Sequence, residues 1–317
     1  MSEYSNLEIM EHFDENSIPD LDVVLLGALE KFMRDGLSEI EFPNFDNPLI
    51  GASVNALTTA KMLFGESALY VDENTSREDV ESLAKQCDGA IVFSASGGKH
   101  APILAKEFQE LGLDTYAVTC TNESQVEGVV GQEKTITTKK NREPYTYNTS
   151  TYLGWMFSGV SMNVQDVKEL YDFILQKVDP IIPKNIQEHF GYYLLVPNTA
   201  GYVGDLFDVK FEELFGTLVP WQTHTFETSM HAKTVIAPQY CLAFGDGELP
   251  VHVYEENTFR VPLPENFTNA HVMAIGYYVI GKIQRGKHPY FKESLKSYIL
   301  ENKKKGEFAQ AINLIVE

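Results

Sequence analysis

The stretch Ile91–Gly112, IVFSASGGKHAPILAKEFQELG, decides how this chain is read. It opens inside an apolar run, Gly89 to Phe93, of the kind that forms a strand buried on both faces. Ser, Ala, Gly and Lys follow at once, and Ala101 to Leu111 then carries apolar residues at helical spacing. A buried strand that runs through a small-residue turn into an amphipathic helix is the first half of a βαβ unit. In outline the turn is also an anion cradle. Ser94 and Ser96 offer hydroxyls, and Gly97 and Gly98 let a ligand approach the backbone. The helix after them is expected to aim unpaired N–H groups and its positive dipole end at the same point, where Lys99 adds a full charge. A Ser/Gly turn can equally be plain helix capping. It is neither GxGxxG nor GxxxxGK[ST], so the nucleotide-binding motifs are not supported.

The same rhythm extends on both sides. Pro48–Gly51, Val54–Leu63 and Ser67–Val71 read as strand, helix and strand before the central stretch, and Thr115–Thr119 reads as a strand after it, which predicts a parallel α/β sheet. Val130–Lys140 reads as one more strand, followed by the cations Lys139, Lys140 and Arg142, and a helix over Ser150–Val160 closes the unit. An amphipathic helix over Val164–Val178 meets PIIP at Pro180–Pro183, the expected domain boundary. A second cycle begins at Tyr192–Val196 and passes through the loop NTAGYVGD into a helix over Leu206–Phe215, with further β-prone material at Thr234–Cys241 and Leu249–Tyr254. The expected organisation is an N-terminal helical segment over 1–40, built on a scaffold helix at Asp20–Arg34, a first α/β domain over 41–180, and a second with a C-terminal tail over 181–317. Each is expected to be a three-layer α/β/α unit with a mainly parallel sheet, the two related as a pseudo-repeat.

Composition limits the function. Of 317 residues 44% are hydrophobic and 22% charged, which is ordinary globular material. A net charge of −20 argues against nucleic-acid or anionic-membrane partners. Cys87, Cys120 and Cys241 are odd in number and lack metal spacing, so no disulfide framework, metal or other cofactor is expected, and a reducing cytoplasm fits. The N-terminus has no secretory pattern, and the best apolar run, Val272–Ile283, is short of the roughly 20 residues that a membrane span needs.

Ile91–Ser124 resembles the core of the sugar isomerase (SIS) domain, in which a strand leads through S-x-S-G-x-T into a helix and a second strand. Ile50–Phe64 is similar to that domain's first strand and helix, where a G-T-S turn supplies another serine. The resemblance implies that Ser53, Ser94 and Ser96 bind a substrate phosphate, with Gly97 and Lys99 completing the cradle. Lys99 stands at the family's threonine, and Ala95 where the synthases carry glutamine. Asp208–Lys233 resembles the second domain of double-SIS proteins, among them the isomerase domain of glucosamine-6-phosphate synthase and the fructosamine-6-phosphate deglycases. Lys210 and Glu213 match a K-x-x-E element. Glu227 and His231 match an E-x-x-H-G-P element with one extra residue, and Ala232 and Lys233 replace Gly and Pro. Gly281–Glu301 resembles the family tail, with Lys296 the nearest match to its sugar-facing lysine, Lys292 a competitor, and a basic surface helix the plain alternative.

The resemblance implies proton transfer between carbon and base on an open-chain sugar phosphate. A carboxylate and a histidine suit that work once burial brings their pKa values toward neutrality. Glu213 is the expected base and His231 the expected ring-opening acid/base, contributed by a partner protomer in a homodimer with its sites at or near the interface. Lys210, Lys296 and Glu143, just before PYTYNTST, complete the candidate set. Glu213 could instead be a solvated charge, and Lys210 its i,i+3 partner. Tyr145, Tyr147, Tyr152 and Trp155 could line a sugar or fill a core. The N-terminal 40 residues are too few for a glutaminase domain, so isomerisation, deamination or deglycation of a phosphorylated ketose or amino sugar is expected, with a non-catalytic phosphosugar sensor as the alternative.

Overall fold

The computed structural model describes residues 4–231, 233–304 and 313–316. The chain folds into two compact units, one of Leu37–Lys140 with Ser150–Met162, the other of Met1–Gly36, Asn141–Thr149 and Asn163–Glu317. These are not the contiguous blocks 41–180 and 181–317 that the sequence suggests. The helix Val164–Phe173 belongs with the second unit because it buries Val167 and Leu170 there, and Tyr171 donates a hydrogen bond to Glu30 at 2.9 Å. The N-terminal helix Leu21–Asp35 is likewise part of that unit and no separate segment.

The first unit holds a five-stranded parallel sheet in the order Leu69–Val71, Pro48–Ala52, Gly89–Phe93, Thr115–Thr119, Thr135–Thr137. Its central strands are buried along their whole length, as their unbroken apolar character requires. Helices Val54–Phe64, Arg77–Ala84, Ala101–Glu110 and Thr149–Gly159 accompany it. The chain leaves Pro48–Ala52 toward one edge and Gly89–Phe93 toward the other, so the direction of winding reverses between these neighbours. In open α/β sheets, ligands sit at the carboxyl ends of the strands at such a reversal. The long strand expected over Val130–Lys140 is reduced to Thr135–Thr137, because the polar Gln132–Lys134 forms a 3₁₀ turn after a short helix at Glu127–Val130.

The second unit repeats the arrangement. Its four parallel strands run in the order Thr258–Val261, Tyr240–Phe244, Tyr192–Val196, Trp221–Thr225, the winding scheme of four strands of the first sheet. Two expected strands fall elsewhere. Most of Thr234–Cys241 is loop, and Leu249–Tyr254 is loop whose Val253 is buried and Leu249 packs in a small satellite core. Apolarity there serves packing and not pairing. The polar edge strand Trp221–Thr225 and the strand Thr258–Val261 carry no apolar run to announce them. The helix that follows Tyr192–Val196 begins at Gly201 and not at Leu206.

The helix Asn269–Gly286 is buried on most sides, and Leu21–Asp35 docks on it. Gln284 accepts the Leu21 N–H at 2.9 Å, and Arg285 pairs with the buried Asp22 at 2.6 Å. The approach is close at Gly281, where a Cβ would lie 2.0 Å from the Asp22 backbone nitrogen. Among the described residues no helix is long and apolar enough to cross a membrane. Replacing Gly281 by Ala should cost about 1–3 kcal/mol through overpacking, read as a lower urea midpoint. An unchanged midpoint would refute this docking.

Candidate active site

Ala52 and Phe93 are register partners, so the turns that begin at Ser53 and Ser94 leave the sheet side by side at the reversal. Ser94 is anchored by its N–H to Val118 O at 3.0 Å. Gly97 lies at φ +61°, and a Cβ there would meet the Ser124 Cβ at 2.5 Å, so only glycine closes this turn. Its N–H donates to the Ser94 carbonyl and hydroxyl, each at 3.2 Å, while its carbonyl accepts the Val126 N–H at 2.8 Å. Ser96 is exposed and its hydroxyl accepts the Gly98 N–H at a long 3.4 Å. Lys99, exposed at φ +55°, makes no side-chain hydrogen bond or ion pair among the described residues. Ser53 stands at the N-cap of Val54–Phe64 without a capping hydrogen bond, and its hydroxyl makes no hydrogen bond among the described residues. Val54 follows at φ +40°, a strained conformation for a β-branched residue.

One expectation needs correction. The helix Ala101–Glu110 offers few donors in its first turn: Ala101 N–H is bonded to Gly98 O at 3.2 Å, Pro102 has none, and Ile103 bonds to His100 O at 3.1 Å. Unused amides are found instead in the loop, where those of Ser96 and Lys99 make no hydrogen bond among the described residues.

In the second unit Lys210 is fully buried, at 0% exposure. Its ammonium donates to the carbonyls of Thr146 and Tyr147, both at 3.2 Å, and to the Glu213 carboxylate at 2.5 Å, one helical turn away. The rings of Tyr277 and Tyr147 lie 5.4 and 5.7 Å from it. An uncompensated buried ammonium costs several kcal/mol, and these groups meet all of its donors. The turn that presents the two carbonyls places Thr146 at φ +74° and Asn148 at φ +44°, and Glu143 closes it by accepting the Thr149 N–H at 2.6 Å. Burial raises the Glu213 carboxyl above the ordinary glutamate value, while Lys210 and the Thr146 hydroxyl pull it down. The Glu213 side chain keeps 20% exposure where Lys210 keeps none, so the glutamate is the member of the pair that solvent reaches.

The remaining candidates are placed differently. Glu143 is buried and works as a cap of the helix Thr149–Gly159. His231, at the end of the short helix Phe226–Met230, is exposed, and no contact among the described residues joins it or Glu227 to the Lys210–Glu213 pair. Ala232 lies outside the described residues. Lys296 is exposed and held at Asn16 (3.2 Å) and Glu15 (3.5 Å), which is the surface-helix reading, and Lys292 pairs with Asp20 at 2.7 Å. Tyr147 and Trp155 are core residues at 0% exposure. The carbonyls of Thr146 and Tyr147 went unnoticed in the sequence, since any residue carries a carbonyl and only backbone geometry aims it.

No protein-family model matches the sequence, and no curated protein sequence matches it. Solved structures do resemble it. The C-terminal domain of glucosamine-fructose-6-phosphate aminotransferase from Francisella tularensis superposes with a TM-score of 0.58 at 11% identity, over 86% of this chain and 98% of that one. Tagatose-6-phosphate ketose/aldose isomerase from Escherichia coli gives 0.54 at 13% identity, over 91% and 94%. Glucosamine-6-phosphate deaminase from Thermotoga maritima gives 0.53 at 13% identity, over 90% and 95%. The chain has the double-SIS fold that the sequence resemblance implies.

Substituting Lys210 by Met should raise the Glu213 carboxyl pKa further, seen by carboxyl ¹³C NMR titration with Glu213→Gln as the assignment control. It should also cost about 3–5 kcal/mol by leaving a buried charge unpaired. An unmoved titration would show that Lys210 does not govern Glu213.

Proposed function

We propose that this protein is a sugar-phosphate enzyme of the isomerase type, acting on a phosphorylated ketose or amino sugar by taking a proton from the carbon beside the carbonyl. One observation carries the reading: a largely buried glutamate, Glu213, held by a fully buried lysine and raised in pKa by burial. Solvated helix-surface glutamates have neither feature. The fold is shared with enzymes named for tagatose 6-phosphate and glucosamine 6-phosphate, which supports a sugar phosphate as substrate class.

In this reading the hydroxyls of Ser53, Ser94 and Ser96 and the loop amides of Ser96 and Lys99 donate to the phosphate, Gly97 keeps the turn tight enough to present them, and the Lys99 ammonium neutralises the charge. Glu213 takes the proton from carbon, the electron pair moves onto the carbonyl oxygen to give an enediolate, and Glu213 returns the proton to the neighbouring carbon as the oxygen-bound proton shifts between the two oxygens. Lys210 positions Glu213 and does not touch substrate, because none of it is exposed. His231 opens the sugar ring and moves the oxygen-bound proton, supplied to the site by a second copy of the chain. The protein is on this account a cytoplasmic homodimer. Glu143 shapes the turn that holds Lys210. Lys296 has no part in the reaction, since Glu15 and Asn16 occupy it. Isomerisation, deamination and deglycation share the proton abstraction. A phosphosugar sensor is the second reading, favoured by the exposed His231, whose side chain has no hydrogen-bond or ion-pair partner among the described residues.

Ser94→Ala and Lys99→Ala should each weaken binding of a phosphorylated sugar about ten- to a hundredfold, the worth of a charge-assisted hydrogen bond, and leave the unphosphorylated sugar unaffected in calorimetry. Equal losses for both sugars would remove the phosphate from this turn.

Glu213→Gln should abolish turnover and spare binding. In the wild type the acid limb of kcat/KM should lie above the ordinary glutamate value, because the base must be ionised to act. The same shift has a stability counterpart. A carboxyl raised in the folded state supports folding fully below its unfolded pKa, and that support is lost as pH rises through the folded value. Glu213→Gln should flatten this loss in pH-dependent denaturation. If the wild type turns over no hexose, hexosamine or fructosamine phosphate yet is stabilised by one of them in a thermal-shift screen, the sensor reading replaces the enzyme.

A further inference from the structure

A cavity of about 240 Å³ in the second unit lies where the helix Asn269–Gly286 ends and the helix Tyr290–Lys303 begins. Arg285, Lys287 and Lys292 line it, with Asp20 as its one carboxylate, in a chain whose net charge is −20. Two of these cations are engaged in holding the fold. Arg285 pairs with the buried Asp22 at 2.6 Å and Lys292 with Asp20 at 2.7 Å, fastening the N-terminal helix. Lys287 differs from both, since its ammonium donates to the His189 carbonyl at 2.6 Å and meets no carboxylate among the described residues. Beside it, the amides of Phe291 and Lys292 make no hydrogen bond among the described residues, and their helix has no side-chain cap at Pro289. An excess of positive charge, one cation without a carboxylate partner among the described residues and two unused amides thus line one partly open cavity. Fastening the N-terminal helix accounts for neither Lys287 nor the amides.

We infer that this cavity is a second anion site that takes a phosphate group, either as inorganic phosphate or as the head of a small phosphomonoester. A tetrahedral dianion accepts several hydrogen bonds at once, which suits donors arriving from a helix start and from separate lysines. The cavity has room for a short carbon skeleton beyond the phosphate. The site shares no residue with Ser53, Ser94 or Lys99, so it stands or falls apart from the proposed substrate cradle.

The test uses the full chain carrying Ser94→Ala and Lys99→Ala, so that phosphate at that cradle is suppressed. Inorganic phosphate and glycerol 3-phosphate are titrated in separate calorimetric experiments. Saturable binding of one equivalent is expected. Lys287→Gln should weaken it at least tenfold, and Asp20→Asn should tighten it several-fold by removing the one opposing charge, a gain that a misfolded variant cannot give. Lys296→Gln, which alters an exposed lysine outside the cavity, should change nothing. Tighter binding of glycerol 3-phosphate would identify a phosphomonoester as the occupant, and equal binding would identify phosphate itself. Absence of binding in the cradle-disabled chain, or equal affinities with and without Lys287 and Asp20, would overturn the site.

Discussion

Lys210 must be satisfied with no water at all, and much of the second unit is arranged around that requirement. Its three donors are met by two backbone carbonyls and one carboxylate, so the turn at Thr146–Tyr147 and the helix Gly201–Phe215 have to be held in one geometry. The turn is held by Glu143 at Thr149 and by the Tyr147 hydroxyl, which accepts from Gln284 at 2.9 Å. Gln284 in turn receives the Leu21 N–H, and the strand Ile315–Val316 pairs with Glu143–Pro144. Burying a cation thereby ties the start of the chain, its end and the middle segment Asn141–Thr149 to the second sheet. A pair exposed to water would impose none of this, since it contributes well under 1 kcal/mol and tolerates many geometries.

The first unit rests on a different constraint. Reversal of winding between Pro48–Ala52 and Gly89–Phe93 leaves two neighbouring strand ends whose following turns are not covered by a direct crossover. Small residues fill those turns, and the non-glycine positive φ values at Val54 and Lys99 are found there. Strain of this kind persists only where surrounding structure dictates it, here a closely packed sheet beneath and Ser124 against Gly97. The uncommitted hydroxyls, amides and ammonium are what a small anion needs. The chain's −20 charge bears on polyanions that meet the whole surface, not on one phosphate held by local donors.

Much of this was legible in the residues because it is governed by short-range pattern. Gly89–Phe93, Thr115–Thr119 and Tyr192–Val196 have the boundaries that their apolar runs indicate. Ser53, Ser94 and Lys99 stand at strand ends because a run of apolar residues has to stop where the sheet does. Illegible elements were those whose character is decided by distant partners. Trp221–Thr225 is polar and becomes a strand only because Tyr192–Val196 pairs with it. Leu249–Tyr254 is apolar and stays a loop because Val253 finds a core without pairing. Lys296 and Lys292 compete as candidates in the sequence, and only the packing of the N-terminal segment gives each its acidic partner.

By itself the sequence determined two parallel α/β cycles, the turns after their strands, and the K-x-x-E spacing that sets Lys210 and Glu213 on one helical face. Periodicity and turn chemistry act over a few residues and survive any arrangement of the rest. Tertiary structure alone decided that Val164–Phe173 and the N-terminal helix complete the second unit, that Lys210 is sealed while Lys296 is solvated, and that Glu213 is pushed toward its neutral form. Burial, and with it the cost of a charge, is a property of the whole packed unit, and no local run of residues carries it.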